Sequence, residues 1–310
     1  MSIYELQRSN WKHPVHVKDD FPEGVSDIGR GVRLSSNGQI LLILGSINLE
    51  GYDSSFLRVM RKEKSKWIPL GNDILSSIDY DDYGVSAHAA LSGDGTTVAI
   101  TGSWSQFFAK LYHYDEAASK WNETVVPPPN SCTDGDQKLE DTEDDDSLAY
   151  NLDGDDWLDS LYECRFSGTD IAVNNAADVL AIAGTSYDSS NGEIGTARVF
   201  TKDPNTGNFT FLGEDPIDFT TDSYVSSVDI SGDGGHLVVG LNDHSDNLED
   251  QGQGLSFVAP AQNARKWVGV GKVYGTNETD LLGARVRIAG NGKIAAASSR
   301  RGYITFFPAA

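Results

Sequence analysis

The sequence predicts an all-β protein folded as a five-bladed β-propeller with four-stranded antiparallel blades. Two observations predict it: a hairpin pattern occurs five times along the 310 residues, and a bulky aromatic residue marks a late position of the repeating unit. One four-stranded sheet cannot bury both of its faces, whereas five sheets stacked around an axis can. We therefore expect a single domain over residues 1–310.

The recurring hairpin joins an alternating strand to an apolar strand. Four copies turn through Asn-Gly or Asp-Gly, a strong hairpin signal because both central positions are expected to need positive φ. These turns are Asn37-Gly38, Asp94-Gly95, Asp233-Gly234 and Asn291-Gly292, and a degenerate copy follows Val173. The first strands end at Leu34, Leu91, Val173, Ile230 and Ile288. The intervals are 57, 82, 57 and 58 residues, so one unit carries about 25 extra residues.

A late aromatic residue marks the fourth strand of four units and predicts packing between neighbouring blades. These residues are Trp67, Trp121, Phe209 and Trp267. The fifth unit ends at Ala310, soon after the strand predicted at Tyr303–Phe307, with no fourth strand. Trp11 and residues 14–17 precede the first unit and supply a spare strand. We expect this N-terminal strand to complete the C-terminal blade and close the ring.

Short glycine motifs flank the first two strands of several units. The motifs around the start of the first strand are Ile28-Gly29-Arg30-Gly31-Val32 and Leu282-Gly283-Ala284-Arg285-Val286. Those after the second strand are Leu44-Gly45-Ser46, Thr101-Gly102-Ser103 and Ala183-Gly184-Thr185. In these motifs the chain resembles the FG-GAP repeats of integrin-α-like propellers, without that family's Phe and Pro. The resemblance implies adhesion or protein interaction, often with bound calcium, rather than catalysis.

The extra residues form an acidic insert at 129–165, between blades two and three. From Pro129 to Cys164 the chain holds 13 acidic residues and one Lys. Such a charge run is typical of a solvated loop. Cys132 and Cys164 bracket the insert, and a disulfide between them would tie its ends together; the alternative is two unrelated thiols in a reducing compartment.

The insert contains a pattern that suits a hard cation. Oxygen side chains stand at alternate positions, with Gly154 between them and the carbonyl of Trp157 at the seventh position, so that a tight loop could wrap calcium. The proposed ligands are Asn151, Asp153, Asp155, Trp157 and Asp159. The pattern is similar to the calcium loop of FG-GAP repeats. An unoccupied acidic turn is the alternative.

The first strand of each blade should face the propeller axis. Residues three and one positions before the strand ends differ from blade to blade, and six of them are charged or titratable: Arg33, His88, Asp170, Asp229, Arg285 and Arg287. Arginine forks suit a carboxylate or phosphate, so these residues predict a site for a small anionic or polar ligand. The alternative is a channel of mutually paired charges around water.

We expect a non-enzymatic module that binds a protein or a small polar or anionic ligand, with calcium as its candidate cofactor. The alternatives are a lectin and a glycoside hydrolase that uses Asp170 and Asp229 as its carboxylate pair. Arg285 and Arg287 should lower the pKa of both carboxylates, whereas a general acid needs a raised pKa. The sequence contains no Gly-x-Ser-x-Gly elbow, phosphate loop or zinc-ligand spacing.

Charge and hydropathy limit the partners. A net charge of −22 argues against binding to nucleic acid or anionic lipid, whose phosphates attract basic surfaces. No stretch reaches the roughly 18 apolar residues of a membrane span, so we expect no membrane insertion. We expect a monomer. The first 20 residues lack an apolar signal core, which fits either a cytoplasmic protein or a mature extracellular domain.

Calcium should stabilise the protein if the loop at residues 151–159 holds it. At a calcium concentration about a hundredfold above the dissociation constant, the free energy of unfolding should rise by about 2.7 kcal/mol. Calorimetric titration and thermal unfolding measure this effect. The double variant Asp153→Asn/Asp155→Asn should lose it, and Asp144→Asn/Asp145→Asn, in the same insert, should keep it. A titration without heat and without a change in stability would contradict the calcium prediction.

Overall fold

The computed structural model describes residues 2–3, 6–7, 10–11, 15–16, 21–49, 52–64, 66–76, 88–102, 109–126, 166–188, 192–212, 217–218, 224–243, 252–258 and 267–309. Over these residues the regular structure is 25 β-strands in antiparallel sheets. The all-β prediction is therefore confirmed. No helix in these ranges is long and apolar enough to cross a bilayer.

The strands form five larger sheets and two short ladders, with sheet neighbours mostly consecutive in sequence. The ladders are β1 (Ser2–Ile3) with β4 (Val15–His16), and β2 (Leu6–Gln7) with β3 (Asn10–Trp11). Sheet one contains β5 (Val25–Leu34), β6 (Ile40–Leu49), β7 (Tyr52–Glu63), β8 (Lys66–Pro69) and β9 (Ile74–Ser76). Sheet two contains β10 (His88–Leu91), β11 (Thr97–Thr101), β12 (Ala109–Asp115) and β13 (Lys120–Val126).

The remaining three sheets follow the same antiparallel order. Sheet three contains β14 (Phe166–Val173), β15 (Val179–Asp188), β16 (Gly192–Lys202), β17 (Phe209–Phe211) and β18 (Ile217–Asp218). Sheet four contains β19 (Val225–Ile230), β20 (His236–Leu241), β21 (Gln253–Val258) and β22 (Val268–Tyr274). Sheet five contains β23 (Arg285–Ile288), β24 (Ile294–Ser298) and β25 (Ile304–Pro308).

A similar turn joins the first two strands of all five sheets, directly after each predicted strand end. In sheet two, the N–H of Gly95 donates to Ser92 O over 3.0 Å, and Ser92 N–H donates to Thr97 O over 2.9 Å. Gly95 has φ of 80°, whereas Asp94 is not in the positive-φ region. The expectation of two positive-φ positions was therefore wrong. Asp94 instead accepts hydrogen bonds from Ser92 Oγ and Thr96 N, at 2.6 and 2.9 Å.

These turns meet one another through the residue that lies two positions after each strand end. Ser36 N–H donates to Gly93 O over 2.8 Å, Asn175 N–H to Gly232 O over 3.1 Å, and Gly232 N–H to Gly290 O over 3.0 Å. Ser36 Oγ also donates to Asn175 Oδ1 over 2.8 Å. A Cβ on Gly93 would overlap Asn175 Oδ1, so the close approach requires glycine there. The five hairpins therefore converge at one end of their first strands.

Apolar clusters fill the spaces between successive sheets. Separate clusters join sheets one and two, two and three, three and four, and four and five. Trp121 of β13 shows how the aromatic positions contribute: its ring belongs to the cluster between sheets one and two, and its Nε1 donates to Leu70 O, just after β8, over 2.8 Å. Phe209 and Trp267 lie in the next two clusters.

The first and last sheets differ from this arrangement. Val32 and Leu34 of sheet one are 40% and 51% exposed, and Phe306 of sheet five is 72% exposed. Trp11 lies in β3 and pairs with Leu6 of β2, not with β25. Short local hairpins have the lowest loop-closure cost. Closure of the C-terminal sheet by the N-terminal strand is therefore not present in the described residues and stays a prediction.

A buried aspartate fixes the segment that leads into sheet five. Asp280 is fully buried, and its Oδ2 accepts hydrogen bonds from Tyr303 OH at 2.6 Å and from the N–H groups of Thr276 and Asn277 at 2.8 Å. Burial alone would raise the pKa of Asp280, but these hydrogen bonds outweigh it and lower the pKa to about 2. The carboxylate thus ties the loop to the strand that begins after Tyr303.

Replacing Asp280 with Ala should lower the free energy of unfolding by about 2 kcal/mol at neutral pH, because five donors from Thr276, Asn277 and Tyr303 lose a charged acceptor. Since the folded pKa lies below the ordinary 3.8, the contribution is full above pH 4 and disappears as the pH falls towards 2. Urea unfolding measured across this pH range tests both statements. Glu278→Gln, an exposed change in the same loop, is the control and should alter stability little. Equal effects of the two variants would contradict the role of Asp280.

Candidate functional site

A cavity of about 220 Å³ lies among the first strands of the sheets, where the sequence predicted the axial site. Its lining comes from β5, β6, β10, β14 and β23, and so from sheets one, two, three and five. The lining residues are Arg30, Gly31, Arg33, Leu42, Leu44, His88, Ala89, Asp170, Arg285 and Arg287. The structure therefore brings together five of the six predicted axial residues, and only Asp229 is not part of the lining.

Asp170 is a buried junction between sheets three and four. Its side chain is 2% exposed, and its Oδ2 accepts hydrogen bonds from Ser227 Oγ at 2.8 Å and from Val228 N at 3.3 Å. Ser227 Oγ in turn accepts from Val286 N of sheet five at 3.1 Å. One carboxylate and one hydroxyl thus connect three first strands, and the role of Asp170 in this arrangement is structural.

Asp229 makes the corresponding link between sheets four and five. Its Oδ2 accepts from Ile288 N at 2.9 Å, and its Oδ1 accepts from the adjacent Ile230 N at 3.0 Å. Burial raises the pKa of Asp229, and the nearby Arg287 only partly opposes this effect. The expectation that the arginines lower its pKa was therefore wrong, because the desolvation of the carboxylate is the larger effect.

Arg33 and His88 approach Asp170 Oδ1, which also accepts a hydrogen bond from the adjacent Ile171 N at 3.0 Å. Arg33 Nη2 and His88 Nδ1 lie 3.9 and 4.0 Å from Asp170 Oδ1. Burial lowers the pKa of His88, and Asp170 opposes the shift less than burial promotes it, so His88 is neutral at pH 7. Burial and the charge of Arg287 also lower the pKa of Arg33, although an arginine stays protonated. Burial is the largest cause of both pKa shifts, and nearby positive charges add to it.

Arg285 and Arg287 extend from β23, and each donates one side-chain hydrogen bond within the described part of the chain. Each donates one Nη1–H to the carbonyl of the preceding residue, at 2.9 and 2.6 Å. Both residues are exposed, and within the described ranges neither forms an ion pair with a carboxylate. With Arg30 and Arg33, four guanidinium groups line the cavity, against the carboxylates of Asp170 in its wall and Asp229 beside it. The cavity is therefore positive in a protein of net charge −22.

The sequence pattern did not predict Arg30 or the apolar residues Leu42, Leu44 and Ala89 as part of the cavity lining. The pairing of β5 with β6 is irregular between Ser26 and Gly31, and Gly29 has φ of 91° there. This irregularity shifts the strand out of simple alternation and brings Arg30 to the cavity beside Arg33. The triplet Gly29-Arg30-Gly31 is the signal that could have indicated a bulge, since glycines inside a strand pattern often mark one.

The other predicted sites lie outside the described residues. These are the calcium ligands Asn151, Asp153, Asp155, Trp157 and Asp159, and the predicted disulfide of Cys132 and Cys164. In the part of the chain that the structure covers, no group of three or more His, Cys, Asp or Glu residues could hold a metal ion. Both sites therefore stay predictions.

Removing the carboxylate of Asp170 should destabilise the junction of sheets three and four. Asp170→Ala leaves Ser227 Oγ and Val228 N without their acceptor, and we expect a loss of about 3 kcal/mol in the free energy of unfolding. Asp229→Ala breaks a single link between sheets and should cost less. Chemical unfolding of both variants measures the difference. A larger loss for Asp229→Ala would contradict the junction role of Asp170.

Comparison with known proteins gives similarity in fold alone. No family model matches the chain, and no curated protein matches it significantly. A proposed 6-phosphogluconolactonase from Bacteroides uniformis aligns with 12% identity and a TM-score of 0.50, covering 96% of this chain and 83% of its own. Dipeptidyl peptidase 4 from Porphyromonas gingivalis aligns with 10% identity and a TM-score of 0.42, over 89% of this chain.

A hypothetical selenium-binding protein from Sulfolobus tokodaii aligns with 13% identity and a TM-score of 0.44, over 79% of this chain. This chain spans only 38% of the length of the peptidase and 55% of that of the selenium-binding protein. At these identities the comparisons carry no activity over to this protein. The similarity to the lactonase supports a β-propeller-like all-β fold.

Proposed function

We propose that this protein is a non-enzymatic binding module that holds a small anionic ligand in the axial cavity of a five-bladed propeller. The observation that carries the proposal is the cavity of about 220 Å³ lined by four arginines, of which Arg285 and Arg287 make no ion pair in the described ranges. A cluster of like charges in one cavity destabilises the fold through repulsion, which a bound anion offsets. A ligand with two or more negative charges supplies a counter-charge for Arg285 and Arg287.

The five-bladed ring is the fold that best fits the observed parts. Five antiparallel sheets, five converging turns and four clusters between sheets favour wedges stacked around one axis. We further propose that the ring is closed and that a fourth strand completes sheet five. The resemblance to FG-GAP repeats, with its implied role in interaction, agrees with a binding function.

The chemistry of the cavity favours a compact oxyanion. Guanidinium groups form paired hydrogen bonds with carboxylates and phosphates, and His88 is a neutral partner for a hydroxyl or a protonated oxygen. The volume of about 220 Å³ lies below the roughly 300–1,000 Å³ of most small-molecule pockets. Phosphate and short di- or tricarboxylates fit this description better than an oligosaccharide, so the cavity does not favour a lectin.

The two carboxylates near the cavity do not favour hydrolysis. Glycosidases need one carboxylic acid and one carboxylate that both reach the substrate. Here Asp170 and Asp229 accept hydrogen bonds from backbone N–H groups of the neighbouring sheet. Burial raises the pKa of Asp229, and Asp229 is not among the residues that line the cavity.

Calcium and a protein partner remain part of the proposal. Calcium would be held by the loop at residues 151–159, and a partner with a basic face would complement the acidic insert at 129–165. Neither is needed for the anion site, which is built from residues of sheets one, two, three and five. We propose that the protein performs this binding as a monomer.

Isothermal titration with phosphate, sulfate and citrate tests the proposed function. We expect at least one of them to bind at millimolar or lower concentration, and Arg33→Ala or Arg287→Ala to weaken that binding about tenfold or more, since a charge-assisted hydrogen bond contributes about 1.5–3 kcal/mol. Arg61→Gln, which removes an exposed arginine paired with Glu63 on sheet one, is the matched control and should change nothing. Absence of binding by all three anions would overturn the proposal.

A further inference from the structure

The four arginines of the cavity belong to two sheets only. Arg30 and Arg33 lie on β5 of the first sheet, and Arg285 and Arg287 lie on β23 of the last sheet. Residues 30 and 287 are separated by almost the whole described chain, yet they line the same small space. Of the sheets that line the cavity, only the first and the last contribute arginines. We call the space between β5 on one side and β23–β25 on the other the junction of the first and last sheets.

The charges at this junction repel one another. Burial is the largest cause that lowers the pKa of Arg33, and the charges of Arg287 and Arg285 on the far side of the same cavity lower it further. Asp170 and Asp229 offset part of this repulsion, but both carboxylates already accept hydrogen bonds that join sheets three, four and five. Repulsion between Arg33 of the first sheet and Arg285 and Arg287 of the last therefore opposes contact between the two sheets.

Apolar packing does not offset this repulsion. Each of the four clusters between successive sheets includes residues of both neighbouring sheets, whereas no cluster in the described ranges joins sheet five to sheet one. Val32, Leu34, Ile304 and Phe306, which belong to these two sheets, remain exposed by 40% to 72%. The hydrogen bonds between turns link sheet one to sheets two and three, and sheet five to sheet four.

We propose that the anion bound in the cavity acts as a clasp that joins the first and last sheets. This inference rests on the proposed function and adds a structural role to it. An oxyanion with two or more negative charges can accept hydrogen bonds from Arg33 on one side and from Arg285 and Arg287 on the other. It replaces repulsion across the junction by attraction, and opening of the junction then requires loss of the ligand.

The clasp predicts a local effect of the ligand on backbone dynamics. Hydrogen exchange of the full chain is measured by mass spectrometry with inorganic phosphate and, at equal ionic strength, with chloride. Phosphate should slow exchange about fivefold or more in β5 and β23–β25, with little change in β15 and β16 at the centre of sheet three. Arg285→Gln/Arg287→Gln should abolish the phosphate effect and, because repulsion is relieved, should itself slow exchange in β5 without phosphate. Arg61→Gln should behave as the parent protein does.

The outcomes separate the clasp from the proposed function. Calorimetric binding of phosphate without slower exchange at β5 and β23–β25, or with equal slowing in every sheet, would overturn the clasp and leave the anion site intact. Faster exchange in β5 of the double variant without phosphate would also overturn it, because the arginines would then be holding the junction together. Absence of phosphate binding, with citrate and sulfate also inactive, would overturn both proposals.

Discussion

Each sheet of this protein has two apolar faces. The need to bury both faces governs how the sheets pack against one another. In β6, Leu42 and Leu44 enter the cluster shared with sheet two, whereas Leu41 and Ile43 enter a separate cluster on the opposite face. Successive side chains of a strand point to opposite faces, so a strand that is apolar throughout can be satisfied only between two layers. Each successive sheet covers one face of the sheet before it. One face of the first sheet and one face of the last sheet therefore still need a partner.

Hydrogen bonds of polar residues on the first strands restrict the relative positions of the sheets more than apolar packing does. Asp170, Ser227 and Asp229 accept hydrogen bonds from backbone N–H groups of the next sheet. Such bonds are directional, and a buried donor left without an acceptor is costly, so they hold the first strands of sheets three, four and five in position against one another. The two acidic residues nearest the centre are thereby occupied, and the arginines at corresponding positions of sheets one and five are left to face the cavity.

The electrostatic contrast between the cavity and the rest of the chain bears on how an anion is recognised. A net charge of −22 repels anions at long range, and salt screens that repulsion over about 10 Å at 0.1 M ionic strength. Affinity must therefore come from short-range hydrogen bonds with the guanidinium groups inside a confined space. This arrangement favours small, highly charged ligands over extended ones, whose outer parts would meet the acidic surface.

The sequence by itself determined the elements and their order. The spacing of Leu34, Leu91, Val173, Ile230 and Ile288 located the five first strands, and counting back from these residues identified five of the side chains in the cavity lining. These features follow from local rules, because turn chemistry and strand alternation act over a few residues. The FG-GAP resemblance, the calcium loop and the disulfide remain predictions.

Only the tertiary structure decided which charged groups remain available to a ligand. It placed Arg30 in the cavity through an irregular pairing in β5, and it raised the pKa of Asp229 through burial where sequence reasoning expected the opposite. It also paired Trp11 with Leu6 and left the first and last sheets without a shared apolar cluster among the described residues. Burial and charge spacing depend on residues far apart in the chain, so they cannot be obtained from local pattern.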